Sequence, residues 1–382
     1  MRRNRILACC FAILSAFFFL RAGAGLIDLY VNNAVTYNAW SDSSDSKWET
    51  DLISVFPGKQ LFLNGNALMR NLFGQREMNK VIKLNNGYLA TTFEDLDDFV
   101  LEEEADRISY VSATLSGMGV PFLYVATPET IAKYDDQLPA GIEDYGNINI
   151  DVMTWRLASN GVPVIDLREE LYQDGIDPYS LMYRTDHHWT MEGGFYAFNK
   201  INDWICSQTG ESASEELLHL DNYDSRTWKQ WHLGSRGQRV GRLYAGADDF
   251  TLYYPKREMS LTRTEAGEKQ AGSFDELVYN EKILESRDLS SMYTYDRVLE
   301  PSLGVFSNES AENDLRIMIL CDSMGKAVCP FMIAAYHDVY YLDNYYPGGL
   351  TASLVEEWQP DVVILMQYPG LLGDNDAYEF SF

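Results

Sequence analysis

Two short stretches of this sequence could do chemistry together. One is Tyr183-Arg184-Thr185-Asp186-His187-His188-Trp189-Thr190. The other is Leu320-Cys321-Asp322-Ser323-Met324. A serine hydroxyl is a weak nucleophile and needs a neighbouring base. An aspartate two residues before a histidine can accept the imidazole Nδ1–H, which fixes the tautomer and leaves Nε2 as that base. Ser323, His188 and Asp186 are therefore a candidate nucleophile, base and orienting acid. Each stretch also has a plainer reading. Asp322-Ser323 at a strand end can serve as a helix cap, and Asp186 or Thr190 can cap a helix with the histidines at the surface. Of the five histidines, His219, His232 and His337 show no partner pattern and read as structural or surface residues. No Cys-x-x-Cys or Cys/His cluster exists, so no structural zinc site is expected.

These residues need elements to position them. The spacing of Phe93, Leu96, Phe99, Val100, Ile108, Val111 and Leu115 predicts a helix from Thr91, ended by Gly117 and Gly119. Val120–Val125 and Val162–Leu167 read as buried strands, with a helix at 150–159 between them. Thr190 caps a helix running to about Cys206. After a polar stretch the alternation resumes: strand Leu315–Cys321, helix Met324–Tyr336, strand Val339–Leu342, helix Leu350–Trp358 and strand Val362–Met366. Strands alternating with helices imply an α/β fold with a mostly parallel, doubly wound sheet, whose active site lies at the carboxyl ends of the strands. Ser323 stands at such an end.

The 382 residues are 46% apolar, enough for one large core with a sizeable insertion. We divide the chain into a targeting segment at 1–25, a first part of the α/β domain at 26–206, an inserted β-containing subdomain at 207–312 and a second part at 313–382. Arg2, Arg3 and Arg5 precede an uncharged run from Ile6 to Leu20 and a small-residue Ala22-Gly23-Ala24 site. That pattern fits a secretory signal or an uncleaved N-terminal membrane anchor. The net charge is −27, and residues 1–24 hold four arginines and no acids, leaving −31 on the remainder. Such a surface repels nucleic acid and anionic lipid and suits a domain outside the cytoplasmic membrane. Cys321 and Cys329 lie in apolar runs and read as buried free thiols.

Asp186-His187-His188-Trp189-Thr190, followed by Glu192-Gly193-Gly194, resembles the signature of the DHHW proteins of Gram-positive bacteria. These are similar to the alginate O-acetylation proteins with SGNH-hydrolase-like domains. Their Asp-x-His-Trp motif is matched by Asp186, His188 and Trp189, and their later Asp-Ser segment by Asp322-Ser323. The order, Asp and His before Ser, is the reverse of ordinary SGNH hydrolases. Val125-Ala126-Thr127-Pro128, Tyr134 and Leu138-Pro139 resemble the family's segment after an early strand. The resemblance spans about residues 50–382. It implies an SGNH-hydrolase-like, flavodoxin-like sheet flanked by helices. Two positions depart from the pattern: Cys321 replaces a glycine, and Asn344 stands where a basic residue is expected. Ser323 N–H is the first candidate oxyanion donor, with Asn344 as a second and Tyr345 and Trp189 as further substrate-contacting candidates.

The activity implied by this resemblance is O-acetyl transfer to an exported or cell-wall polysaccharide, with no cofactor. A membrane-bound O-acyltransferase would be the acyl source and partner. The same triad could hydrolyse, as a secreted carbohydrate esterase. A non-catalytic polysaccharide-binding or assembly protein is a third reading. A metal-dependent phosphoesterase is a fourth, opposed by the lack of further ligand aspartates and by the export signal.

Overall fold

The first elements to consider are three apolar runs whose alternate residues face opposite ways. In Arg316–Cys321, Ile317, Ile319 and Cys321 join one buried cluster while Met318 and Leu320 join another. In Val362–Gln367, Val362, Ile364 and Met366 oppose Val363 and Leu365. In Phe122–Ala126, Leu123 and Val125 oppose Phe122, Tyr124 and Ala126. Period-two alternation with both sides apolar is the mark of strands covered on both faces.

A computed structural model describes residues 15–21, 23–24, 59–265, 267–285, 294–299, 304–346, 348–374 and 377–382. Residues 1–74 form one unit and residues 75–382 another. In the first, residues 15–21 are helical and a helix spans Lys59–Leu72. Most of the expected targeting segment lies outside the described residues. Among the described residues no helix is long and apolar enough to cross a membrane.

In the second unit we number ten strands: β1 Phe122–Ala126, β2 Val164–Asp166, β3 Tyr223–His232, β4 Asp248–Pro255, β5 Leu261–Glu265, β6 Glu268–Gly272, β7 Gly304–Asn308, β8 Arg316–Cys321, β9 Asp338–Asp343 and β10 Val362–Gln367. The main helices are α1 Asp98–Gly117, α2 Gly146–Ser159, α3 Met191–Thr209, α4 Cys329–Ala335 and α5 Ala352–Trp358. The central sheet runs β2-β1-β10-β8-β9-β7-β5-β6. Its first five strands are mutually parallel, and the last three join antiparallel. Helices α3 and α4 cover one face through Phe198, Ile201 and Phe331, and α1, α2 and α5 cover the other through Ile108, Met153 and Val355.

Residues 207–312 contribute in two ways. β3 and β4 form a separate antiparallel ribbon with an irregularity between Trp228 and His232. β5, β6 and β7 extend the edge of the central sheet. Two predicted helices differ from expectation. Residues 91–97 are non-helical, because Phe93 N–H and Leu96 N–H bond to Asp144 and Asn149, and α1 begins only where the Asp97 side chain caps it. The helix expected over 324–336 is a 3₁₀ turn, Ser323–Ala327, followed by α4. Pro330 lies in the first turn of α4, where its missing N–H is tolerated, and this starts a new helix rather than continuing the old one.

Candidate active site

The nucleophile turn is built from β8 outward. Asp322 follows the strand, and its Oδ1 accepts Met324 N–H at 2.8 Å, capping the 3₁₀ turn that carries Ser323. Its Oδ2 accepts Tyr368 N–H at 2.6 Å and Tyr378 O–H at 2.9 Å. Asp322 O accepts Gly325 N–H at 3.1 Å. With Met324 and Gly325 N–H engaged, Ser323 N–H is the free donor beside its own hydroxyl. The turn presses on the strand beneath it: a Cβ on Gly325 would lie 2.0 Å from Cys321 Sγ. Cys321 and Cys329 are buried free thiols, as expected.

The acid–base turn precedes α3. Thr190 Oγ1 caps the helix by accepting Gly193 N–H at 3.4 Å. His188 Nε2 lies 2.7 Å from Ser323 Oγ, and His188 Nδ1 lies 3.1 Å from Asp186 Oδ2. Imidazole Nδ1–H therefore donates to the carboxylate and bare Nε2 accepts from the serine hydroxyl. This is the geometry of an activated nucleophile. Asp186 and His188 are buried, while Ser323 is partly exposed.

Two links hold the turns together. Trp189 Nε1–H donates to Met324 O at 2.8 Å. Helix α3 lies against the nucleophile turn so closely that a Cβ on Gly194 would come within 2.3 Å of Ala327 O. The motif's Trp and second Gly thus position the nucleophile. This corrects the expectation that Trp189 contacts substrate: its ring is buried in the core and its one donor is engaged.

Asp186 receives more donors than its motif supplies. Oδ2 also accepts His232 Nε2–H at 2.9 Å. Oδ1 accepts His187 N–H at 2.8 Å, Ser235 N–H at 3.1 Å and Ser235 O–H at 2.8 Å. Behind it, Arg236 donates to Asp186 O at 3.3 Å and faces the buried Glu129 at 3.5 Å. Asp248 Oδ2 accepts both N–H and O–H of Thr185, at 2.8 and 2.7 Å. His232, Ser235, Arg236 and Asp248 come from the end of the β3–β4 ribbon and its connection. His232 is buried at the triad, with Nδ1 unpartnered, rather than lying apart from it. No spacing marks it in the sequence, because the contact is made between residues 46 apart.

Burial raises the Asp186 pKa, but the charge on His188 and hydrogen bonds from His187, His188 and His232 outweigh it and hold the carboxyl well below its usual range. Burial pushes Asp322 up despite its three donors. Burial and the neighbouring His188 lower His187.

His188 is sandwiched. Tyr295 stacks on it with centroids 4.0 Å apart and planes at 15°, and His187 lies 3.8 Å away on the other side. Tyr295 is buried with its hydroxyl unpartnered. Asp186, His187 and His188 bring ligand-type atoms within 4.8 Å of one another. Their donor pattern fits a carboxylate orienting imidazoles: both Nδ1 atoms face Asp186, whose oxygens already accept N–H and O–H groups. Asn344 is buried beside the nucleophile turn. β8–β9 register pairs Cys321 with Asp343, Asn344 N–H donates to Cys321 O at 3.0 Å, and its Nδ2 has no hydrogen-bond partner. Tyr345 beside it is 59% exposed.

Residues 88–222 match the family described as an SGNH hydrolase-like domain, acetyltransferase AlgX. The mostly parallel central sheet flanked by helices agrees with an SGNH hydrolase-like fold. Among solved structures, Bacillus cereus PatB1 is similar at 20% identity and a TM-score of 0.62, over 76% of this chain and 96% of that one. A DHHW family protein from Eubacterium siraeum is similar at 18% identity and a TM-score of 0.56, over 79% of this chain and 94% of that one. No curated protein matches the sequence. The resemblance first carried by Asp186-His187-His188-Trp189 therefore holds for the SGNH-like region and for the fold.

Proposed function

We propose that the chain is an extracytoplasmic O-acetyltransferase, moving an acetyl group through Ser323 onto a hydroxyl of an exported or cell-wall polysaccharide. A membrane-bound O-acyltransferase would supply the acyl group. The observation that carries this reading is the 2.7 Å contact between His188 Nε2 and Ser323 Oγ, with His188 anchored on Asp186. The acetyltransferase family matched by residues 88–222 supports the choice of acyl group. The basic N-terminal run and the strongly acidic remainder support an extracytoplasmic site of action.

In this mechanism Ser323 Oγ attacks the donor's acyl carbonyl while His188 Nε2 takes its proton. Asp186 holds the imidazolium that results. Ser323 N–H and Asn344 Nδ2–H stabilise the oxyanion, which gives the unpartnered buried amide a role in the reaction. Collapse expels the donor's leaving group with the proton from His188 and leaves acetyl-serine. An acceptor hydroxyl then attacks the acyl carbon, giving its proton to His188, and the Ser323 ester bond breaks as Ser323 Oγ takes that proton from His188, restoring the free enzyme.

The test is incubation with p-nitrophenyl acetate, reading acetyl-serine by intact mass and peptide mapping. The expected result is label on Ser323 that is absent in Ser323→Ala and strongly reduced in His188→Ala. Label that neither substitution affects would overturn the triad. Acetate release with no ester formed on any added glycan would move the assignment to a carbohydrate esterase. A chain that never labels would be read as a binding or assembly protein.

A further inference from the structure

Two imidazoles at the site, His187 and His232, take no part in the proposed mechanism, and of the two only His187 is partly exposed. Its ring lies 3.8 Å from that of His188 and 5.4 Å from that of Tyr368, and 26% of its side chain is exposed. Its Nδ1 sits 2.9 Å from Ser235 Oγ and 3.1 Å from Asp186 Oδ1. The Ser235 hydroxyl already donates to Asp186 Oδ1 at 2.8 Å. A bare nitrogen lone pair 3.1 Å from a carboxylate oxygen would be repelled, so Nδ1 carries the proton and Nε2 has the lone pair. Among the described residues that Nε2 has no hydrogen-bond partner.

The two imidazoles are therefore anchored on one carboxylate by different routes. His188 Nδ1–H donates to Asp186 Oδ2, whereas His187 Nδ1–H donates to Ser235 Oγ, whose own hydroxyl donates to Asp186 Oδ1, and the two rings lie side by side. Each then carries a bare Nε2 on the ring edge away from its Nδ1–H anchor, and the His187 ring lies 3.8 Å from the ring that serves Ser323. His188 Nε2 serves Ser323. We propose that His187 Nε2 accepts a hydrogen bond from the hydroxyl adjacent to the reacting one on the acceptor, so that the site selects a vicinal diol, as on a sugar ring, over a lone alcohol or water.

This rests on the acetyl-serine reading and extends it. The attacking hydroxyl gives its proton to His188 as its oxygen bonds the acyl carbon and the Ser323 ester bond breaks. Only a second hydroxyl is free to donate to His187, and no proton leaves that hydroxyl. Water carries no second group, which gives the site a physical means of favouring transfer over hydrolysis.

The experiment offers the p-nitrophenyl acetate-labelled protein either trans-cyclohexane-1,2-diol or cyclohexanol at equal concentration, and measures monoester formed against acetate released. The diol-to-monool ratio, counted per hydroxyl because the diol offers two equivalent ones, is the readout, and it is unaffected by how fast Ser323 is acylated. The wild-type ratio is expected to be about three- to tenfold, the worth of one neutral hydrogen bond. In His187→Ala it falls to about one. In His187→Gln, whose side-chain oxygen can accept in the same region, it recovers part of the difference. A wild-type ratio near one, or one unchanged in His187→Ala, overturns the proposal. A protein that never acylates Ser323 overturns the underlying reading instead, and the mass spectrum distinguishes the two failures.

Discussion

The two turns that meet at Ser323 Oγ are held in different ways. The nucleophile turn is organised by its own aspartate: Asp322 caps it, and the remaining Asp322 donors come from the segment following β10. The acid–base turn is held by a distant ribbon, through His232, Ser235, Arg236 and Asp248. Both centre on a buried aspartate, yet their ionisation is pushed in opposite directions. Asp186 has imidazole partners that can carry charge and is held well below the usual range, whereas Asp322 has only neutral donors and burial wins. The lesson is a division of labour, in which backbone and hydroxyl donors fix the aspartate that aims the hydroxyl and imidazoles fix the aspartate that orients the base.

That contrast can be broken in graded steps. The largest effect is expected from Ser323→Ala, which removes the bond-forming atom; ester turnover should drop by about 10⁶, measured with p-nitrophenyl acetate. Next is His232→Ala, which deletes one donor to a charged oxygen from the ribbon side. Hydrogen bonds to charged groups are worth about 1.5–3 kcal/mol, so turnover should fall about ten- to a hundredfold. Tyr378→Phe removes one of three donors from Asp322, which reaches the reacting hydroxyl only through the turn it caps, and should lose only about three- to tenfold. Equal losses in these two variants would erase the distinction between the turns.

Sterics give a paired test. Gly325→Ala drives a Cβ to 2.0 Å from Cys321 Sγ, and Gly234→Ala drives one to 2.2 Å from Asp186 Cβ. Each should lower stability by about 1–3 kcal/mol in denaturant unfolding. The difference should appear in the surviving folded protein. Gly234→Ala displaces the orienting carboxylate directly, so it should lose more activity per folded molecule.

The smallest effect concerns Glu129 beneath Arg236. Burial raises its pKa to about 7, with Arg236 opposing and Asp144 adding to the rise. The native state then binds a proton that the unfolded chain, with a pKa of about 4.3, has released. Between those values stability falls as pH rises. Glu129→Gln should flatten that slope, read from unfolding midpoints across pH 4–8. An unchanged slope would separate Glu129 from the support of the acid–base turn.

How much of this was legible in the sequence follows from how far each contact reaches along the chain. The β8, β9 and β10 strands were visible as apolar runs, and Thr190 announced α3, because these signals lie within a few residues. Asp186, His188 and Ser323 were legible as a motif and a strand end. Trp189 was assigned to the wrong task, since nothing local shows its N–H reaching Met324, 135 residues away. His232, Ser235 and Tyr295 left no trace, because they come from the polar stretch of 207–312, where no hydrophobic period sets a register. The split of the helix after Ser323 was foreseeable from Pro330, but continuous apolarity from Val328 to Ala335 masked it.

The bond from Trp189 to Met324 has a consequence for the making of the protein. On a ribosome the acid–base turn emerges long before the serine, and the ribbon that steadies Asp186 appears between them. No chain shorter than 323 residues carries both the nucleophile and the base, and such distant pairings form late and cooperatively. Catalytic competence should therefore arrive in a single step with closure of the whole sheet, which keeps a half-made chain from capturing acyl groups.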